Sequence, residues 1–279
     1  MVYNTKIIDY GDYLHIQWYD RHIIRKDEDE SIAEINKIVE NNNIINNKQS
    51  DMLVADEKAI ERSLKVSANR SKNNLFRIAR SNEWDLFVTL TFDRTNTDTS
   101  NYDEVSKKVN KFTAKIRKQC PYFKYLVVPE LHKDKINYHF HGLFYKADSL
   151  EMVYSGHTDS EGAKIYNLPD WEWGFSYAMK IKNQSAVRNY IGKYISKDLM
   201  NNLKYKKRYY ASDNVNIAEE YLCEMSIDTL YERYADRISH AKTITIDKIN
   251  RIKYFEVKKD VDNEKDDNYN NDVKEMFSE

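Results

Sequence analysis

The chain has 279 residues, of which 41% are hydrophobic and 32% are charged, and its formal net charge is −1. This length allows one large domain or one domain with appendages, and the hydrophobic content suffices for a core. The two cysteines, Cys120 and Cys223, lack CxxC spacing, which argues against a zinc knuckle or a disulfide framework. With no signal-peptide core and no membrane-length apolar run, we expect a soluble cytoplasmic protein.

The first 80 residues predict a strand and a helix. Residues 13–25 alternate loosely between apolar and polar, which is typical of a strand or a hairpin. Residues 26–50 are polar and end in an asparagine-rich stretch, which predicts a weak helix leading into a loop. Residues 56–80 predict a basic helix. Its candidate inward positions are Ile60, Leu64, Leu75 and Ile78.

The centre of the chain predicts strands separated by one helix. Residues 87–92 form a β-rich run, and residues 102–118 predict an amphipathic helix that ends before a proline. Residues 125–128 predict the next strand, 133–137 a polar hairpin turn, and 139–145 the returning strand. The candidate buried positions of the helix are Val105, Val109, Phe112 and Ile116.

The remainder of the chain is predicted to be more varied. Residues 147–172 are polar and predict a loop or a small insertion, and residues 173–179 predict a further strand. Ser185 can cap a helix that continues through Leu199. Its buried seam would be Val187, Ile191, Ile195 and Leu199. Antiparallel strands with helices between them indicate an α+β fold, with a central antiparallel sheet flanked by helices.

Basic residues are concentrated between Met179 and Tyr210, where nine Lys and Arg face one acid, Asp198. Five tyrosines are interleaved with them, and bases stack on aromatic rings, so the segment predicts a nucleic-acid surface. A solvated helix face is the plain alternative. Seven of these residues are predicted to contact DNA: Lys180, Lys182, Arg188, Lys204, Lys206, Lys207 and Arg208.

Two histidines stand two residues apart in the predicted strand 139–145. Successive side chains of a strand alternate, so His139 and His141 share one face while Phe140 points to the other. Their backbone positions lie roughly 6–7 Å apart by strand rise, so both imidazoles can reach one metal ion. Two hydrogen-bonded histidines on a sheet are the structural alternative.

The hairpin turn supplies a third ligand. Folding the chain about residues 134–136 brings Glu130 opposite His139 and His141. One carboxylate and two imidazoles form a mixed nitrogen and oxygen site suited to Mn²⁺ or Mg²⁺. His132 competes for the same role, and we prefer Glu130 because carboxylate oxygens suit the harder ions.

Tyr190 and Tyr194 are four residues apart and therefore lie on one helix face. Lys193 and Lys197 follow them at three-residue spacing. A free phenol is a poor nucleophile at neutral pH, and a nearby ammonium or metal favours the phenolate. The lysines can also clamp a phosphate. An aromatic pair that packs on the sheet is the alternative in a chain with 22 tyrosines.

Three segments together resemble the motifs of HUH-family rolling-circle replication initiators. They are FVTLTF at residues 87–92, the histidine pair within VPELHKDKINYHFHGLF, and YIGKYISKDL from Tyr190. The chain is most similar to the Rep proteins of small phages and plasmids of low-GC Gram-positive bacteria. In these initiators the tyrosine helix follows the histidine motif, as here, whereas in conjugative relaxases it lies near the N-terminus. The resemblance covers roughly residues 70–215.

The resemblance implies an RRM-like palm whose central antiparallel sheet carries the metal on one face, with the tyrosine helix beside it. It implies metal-dependent nicking of single-stranded or hairpin origin DNA, a 5′-phosphotyrosine link and a free 3′-OH. Host helicase and polymerase would act in trans, with no membrane partner. His139 and His141 are then metal ligands, with Glu130 as the third.

The tyrosine assignment stays open between two forms of the family motif. Tyr194 resembles the single-tyrosine form, and Tyr190 with Tyr194 resembles the two-tyrosine form. We favour Tyr194 if one residue acts, with Lys197 and Lys193 assisting. The strand that holds Thr89 and Thr91 is expected to support the site.

The expected organisation has four parts: an N-terminal extension at 1–55, the endonuclease domain at 56–215, an accessory segment packing on it at 216–259, and an acidic disordered tail at 260–279. The alternative functions are a transposase or relaxase of the same superfamily, and a non-catalytic DNA-binding regulator of replication.

Overall fold

The structure is a computed structural model that describes residues 1–24, 49–184, 206–246 and 251–259, together with residues 186, 188, 191 and 203; the side chains of the first helix are described from residue 65. The chain divides into two compact units, one of Lys48–Ile217 and one that combines Met1–Asn47 with Ala218–Glu279. Most of the predicted weak helix and loop at 26–50 lies outside the described residues, as does the acidic tail.

The secondary structure of the described residues alternates strands with three α-helices. In chain order the elements are β1 (Val2–Asp9), β2 (Tyr13–Ile24), α1 (Gln49–Arg80), β3 (Leu86–Leu90), α2 (Tyr102–Gln119), β4 (Lys124–Leu131), β5 (Tyr138–Tyr145), β6 (Val153–Thr158), β7 (Lys164–Asn167), β8 (Ser176–Lys180), β9 (Tyr210–Ala211), β10 (Glu219–Cys223), α3 (Ile227–Tyr234), a 3-10 turn (Ala235–Arg237), β11 (Ile238–Thr245) and β12 (Arg251–Lys258).

The unit of residues 48–217 is built on a seven-stranded sheet in the order β6-β7-β8-β3-β5-β4-β9. Its strand pairs are antiparallel. The predicted hairpin between β4 and β5 is confirmed, and it places Glu130 directly opposite His139. On its other side β5 pairs with β3, where Thr89 lies opposite His141.

Helix α2 covers one face of this sheet. Its predicted inward positions Val105, Val109, Phe112 and Ile116 are all buried, which confirms the 3.6-residue period. They pack against Phe140 and Phe144, which point to this face from β5. Asn101 caps the helix, because its side chain accepts hydrogen bonds from the backbone N–H groups of Asp103 and Glu104.

Helix α1 covers the opposite face. Leu75 and Ile78, both predicted as inward positions, are buried beside Ala79. They belong to a cluster with Leu126 and Val128 of β4, Leu143 of β5 and Phe87 of β3. The α+β prediction, an antiparallel sheet flanked by helices, is therefore confirmed.

The prediction of an irregular loop at 147–172 is wrong in part, because β6 and β7 form a hairpin there. The residues of both strands are exposed or half-buried. A hairpin with neither face in a core has no apolar alternation to reveal it.

The second unit is built on a five-stranded sheet in the order β10-β1-β2-β12-β11. Leu14 and Ile16 of β2 and Phe255 and Val257 of β12 form its core with residues of α3. The first and last parts of the chain, which the sequence analysis treated as separate segments, thus share one sheet. Pairing between strands some two hundred residues apart leaves no local pattern. Within the described residues, no helix has the length and apolar character needed to cross a bilayer.

We expect Gly174→Ala to lower the free energy of unfolding of the protein by about 2–4 kcal/mol. Gly174 has φ +151°, and a Cβ there would lie 2.5 Å from the backbone N of Asp93 and the backbone O of Thr91. Urea denaturation measures the change. The control is Gly162→Ala, at φ +79° with open space around the added Cβ, where about 1 kcal/mol is expected. Equal losses in the two variants would contradict the close approach.

Candidate functional site

Three side chains converge on the α1 face of the central sheet. The Glu130 Oε2 atom lies 2.5 Å from His139 Nε2 and 2.7 Å from His141 Nε2, and the two Nε2 atoms are 2.9 Å apart. Among the residues that the structure describes, these three are grouped as a cluster that could hold a metal ion. The side chains of His139 and His141 keep 15% and 9% of their exposure, and that of Glu130 keeps 33%. The cluster is therefore open on the carboxylate side.

Strand geometry accounts for this convergence. His139 and His141 project to one face because side chains alternate along β5, while Phe140 between them is fully buried on the α2 face. The pairing of β4 with β5 then sets Glu130 directly across from His139. Regular secondary structure thus holds the three groups together without a flexible loop.

The electrostatics of the cluster favour the ionic forms that bind metals. Burial alone would raise the pKa of Glu130, but its hydrogen bonds with His139 and His141 outweigh that effect and lower the pKa to about 2. Burial lowers the pKa of His141 in spite of its hydrogen bond with Glu130. At neutral pH the carboxylate is ionised and the His141 imidazole is neutral, and metals require both of these states in their ligands.

Each histidine has a polar neighbour on the ring nitrogen that faces away from the cluster. Thr89 Oγ1 lies 3.0 Å from His141 Nδ1. The Nδ1 and Nε2 atoms of His132 lie 3.3 and 3.2 Å from His139 Nδ1. This geometry favours Glu130 over His132 as the third member of the cluster, because His132 contacts the far side of the His139 ring. The sequence showed neither contact in this form.

The donor set fits a divalent cation. Two imidazole nitrogens and one carboxylate oxygen form a mixed set with open positions, in which nitrogen suits borderline ions and oxygen suits hard ones. The ligand atoms already lie within reach of one another, so a bound ion would need little rearrangement. The geometry does not choose between Mn²⁺ and Mg²⁺.

The residues predicted to be the nucleophiles and their helpers, Tyr190, Tyr194, Lys193 and Lys197, lie outside the described residues, as does Lys204. The described residue nearest to them is Ile191, which is fully buried. It packs in the cluster formed by α1 with Leu126, Val128 and Leu143. These sheet residues share the face that carries His139 and His141, so this point of the segment lies against the same face.

The basic residues predicted to contact DNA occupy different environments. Lys180 and Lys182 are exposed at the end of β8 and just beyond it. Lys206 forms a 2.9 Å ion pair with Asp103, and Lys207 lies over the ring of Tyr210.

The two predicted DNA-contacting arginines are less open than these lysines. Arg188 is half-buried. Arg208 is buried, and its guanidinium donates hydrogen bonds to the hydroxyls of Ser67 and Ser71 on α1. Arg208 therefore holds α1 against the chain that follows the predicted tyrosine helix, and it is not part of an exposed basic surface.

Comparison with known proteins adds one finding. Residues 85–199 match the sequence model of a family described as replication-associated protein, which groups the ORF2 and gene II proteins. No curated protein and no solved structure matches the chain. The matched segment contains the histidine and glutamate cluster and both candidate tyrosines. The match supports placing this chain among replication-initiator proteins.

Proposed function

We propose that the protein is a rolling-circle replication initiator of the HUH type, a single-strand DNA endonuclease and strand transferase. It would nick and rejoin origin DNA through a covalent 5′-phosphotyrosine intermediate. The observation that carries this proposal is the convergence of His139, His141 and Glu130 on the sheet face against which Ile191 is buried. Ile191 adjoins Tyr190 in sequence and precedes Tyr194 by three residues, so the face that could hold a metal also receives the candidate tyrosine segment.

The three side chains would hold Mn²⁺ or Mg²⁺. Attack on a phosphodiester builds negative charge on its non-bridging oxygens, and a divalent cation stabilises that charge and orients the phosphate. Glu130 and the two histidines leave coordination positions open for phosphate oxygens, because they approach the ion from the side of the sheet. Thr89 would keep His141 in place, since Nδ1 carries the ring proton when Nε2 is a ligand and can donate it to Thr89 Oγ1.

Tyr194, or Tyr190 in alternation with it, would supply the nucleophile. The phenolic oxygen loses its proton and forms a bond to phosphorus, the bond from phosphorus to the 3′ oxygen breaks, and that oxygen takes up a proton to become a 3′-OH. Rejoining reverses these steps. Lys193 and Lys197 would favour the phenolate or bind the phosphate. The exposed Lys180 and Lys182, together with Lys204, Lys206, Lys207 and Arg188, would contribute sequence-independent phosphate contacts.

Two other functions remain alternatives with distinct consequences. A transposase or relaxase with the same chemistry would cleave transposon ends or a transfer origin in place of a replication origin. A non-catalytic DNA-binding regulator would keep its function without either tyrosine. The match to a replication-associated family favours the initiator. Such an initiator would rely on host helicase and polymerase in trans.

The first test is covalent adduct formation with single-stranded origin DNA in the presence of Mn²⁺. We expect a protein–DNA adduct that EDTA prevents, that Tyr194→Phe reduces at least tenfold, and that the double variant with Tyr190→Phe abolishes, because no phenol then remains. Denaturing electrophoresis with labelled DNA measures it. Tyr154→Phe, at an exposed tyrosine of β6, is the matched control. DNA binding with no adduct in the wild-type protein would favour the non-catalytic regulator.

His141→Ala should abolish cleavage while leaving the affinity for single-stranded DNA within about threefold of wild type, because basic side chains supply most of that affinity. Nicking and fluorescence anisotropy in the same preparations measure the two effects. The control is His157→Ala, at an exposed histidine of β6. Parallel loss of binding and cleavage, in a variant whose circular dichroism is unchanged, would argue against the metal role.

Thr89→Val should weaken Mn²⁺ binding about 10- to 100-fold, because it removes the hydroxyl beside His141 Nδ1 while keeping the side-chain shape. Thr89→Ser retains the hydroxyl and should bind within a few-fold of wild type. Titration calorimetry with Mn²⁺, without DNA, measures both variants. If Thr89→Val and Thr89→Ser bind Mn²⁺ equally, the hydroxyl does not orient the ligand.

A further inference from the structure

One large aromatic side chain on the central sheet is exposed. Phe175 keeps 62% of its exposure and is not among the residues of either core cluster of its unit. Among the described residues no ring or cation contacts it. The side chain makes no visible contribution to the stability of the fold, so its position calls for another explanation.

Phe175 continues β8 beside the strand that supports the histidine cluster. The backbone N of Thr91 donates to the backbone O of Phe175 at 2.8 Å, and the backbone N of Asp93 donates to Trp173 in the same ladder. Phe175 thus extends the register in which Tyr177 lies opposite Thr89. Directly paired residues of an antiparallel ladder project to one face, so Phe175 shares the face of Thr89.

The same face carries the cluster. Thr89 lies opposite His141 on the far side of β3, so Phe175 stands two strands away from the histidine pair. At the usual spacing of neighbouring strands, the backbones of Phe175 and β5 are about 10 Å apart. That distance corresponds to one or two nucleotides of an extended single strand.

A cation lies beside this row. Arg94 follows Asp93, and its guanidinium lies 3.3 Å from Asp134 in the turn between β4 and β5, with 58% of its side chain exposed. The turn is well defined: Asp134 accepts from the backbone N–H groups of Ile136 and Asn137, and Lys135 takes φ 59°. Arg94 is therefore held near the cluster while much of its side chain still faces solvent.

We propose that Phe175 is a stacking platform for a nucleobase close to the scissile phosphate, with Arg94 binding an adjacent phosphate. This proposal rests on the proposed function and specifies how the same face would recognise its substrate. An exposed aromatic ring stacks on an unpaired base whatever the base is, and a neighbouring cation neutralises the backbone. A duplex offers no free base face, so the platform selects single-stranded DNA.

The test separates base stacking from phosphate binding by using two labelled single strands of about 15 nucleotides, one of oligo(dT) and one abasic throughout. Fluorescence anisotropy in EDTA gives the affinities. Phe175→Ala should weaken binding of oligo(dT) about 5- to 100-fold and leave the abasic strand within twofold, because stacking is worth about 1–3 kcal/mol per base. Phe175→Trp should restore oligo(dT) binding.

The control is Tyr122→Ala, an aromatic with 72% exposure just before the start of β4, which should bind both strands as wild type does. Arg94→Gln should weaken both strands alike and lower the salt slope by about 0.7. Wild-type affinity in Phe175→Ala, or equal loss on the two strands, would overturn the stacking role. Adduct formation is measured separately: wild type that binds oligo(dT) base-dependently but never forms an adduct overturns the nuclease and not the platform.

Discussion

The register between β4 and β5 is the constraint on which the site depends. It sets Glu130 opposite His139 and Val128 opposite His141, so the carboxylate meets both imidazoles. A slip of one residue along either strand would send that strand's side chains to the opposite face. The turn that fixes the register is held by Asp134, which accepts from two backbone N–H groups, and by the hydrogen bond from the backbone N of His132 to Asn137. A short polar turn thereby determines the geometry of the whole cluster.

The alternation of β5 divides the domain into a chemical face and a structural face. Phe140 and Phe144 enter the core under α2, whereas His139 and His141 face the α1 side. The burial of Phe140 stabilises β5 in the one orientation that brings the histidines together. Because the ligands lie on central strands with packed neighbours on both sides, they are preorganised, which reduces the conformational entropy lost when an ion binds. Packing and chemistry therefore use the same eight residues.

Polar contacts around the cluster extend this preorganisation outward. Thr89 contacts His141 from β3, and His132 contacts His139 from the end of the hairpin. Arg208 joins α1 to the chain after the candidate tyrosine segment through two serine hydroxyls. A buried guanidinium bonded to neutral hydroxyls is a demanding arrangement, and it ties the helix on the chemical face to the segment that would carry the nucleophile.

Period-two and period-3.6 patterns in the sequence determined the local structure: α2 with its four buried positions, the β4–β5 hairpin and the shared face of the two histidines. These features depend on residues close in sequence, so a local pattern suffices. Only the tertiary structure decided between Glu130 and His132, placed Thr89 beside His141, exposed Phe175, formed the β6–β7 hairpin and joined the two ends of the chain in one sheet. Those outcomes depend on pairing and packing between segments that are distant in sequence, and the free energies that select them come from contacts that no single segment contains.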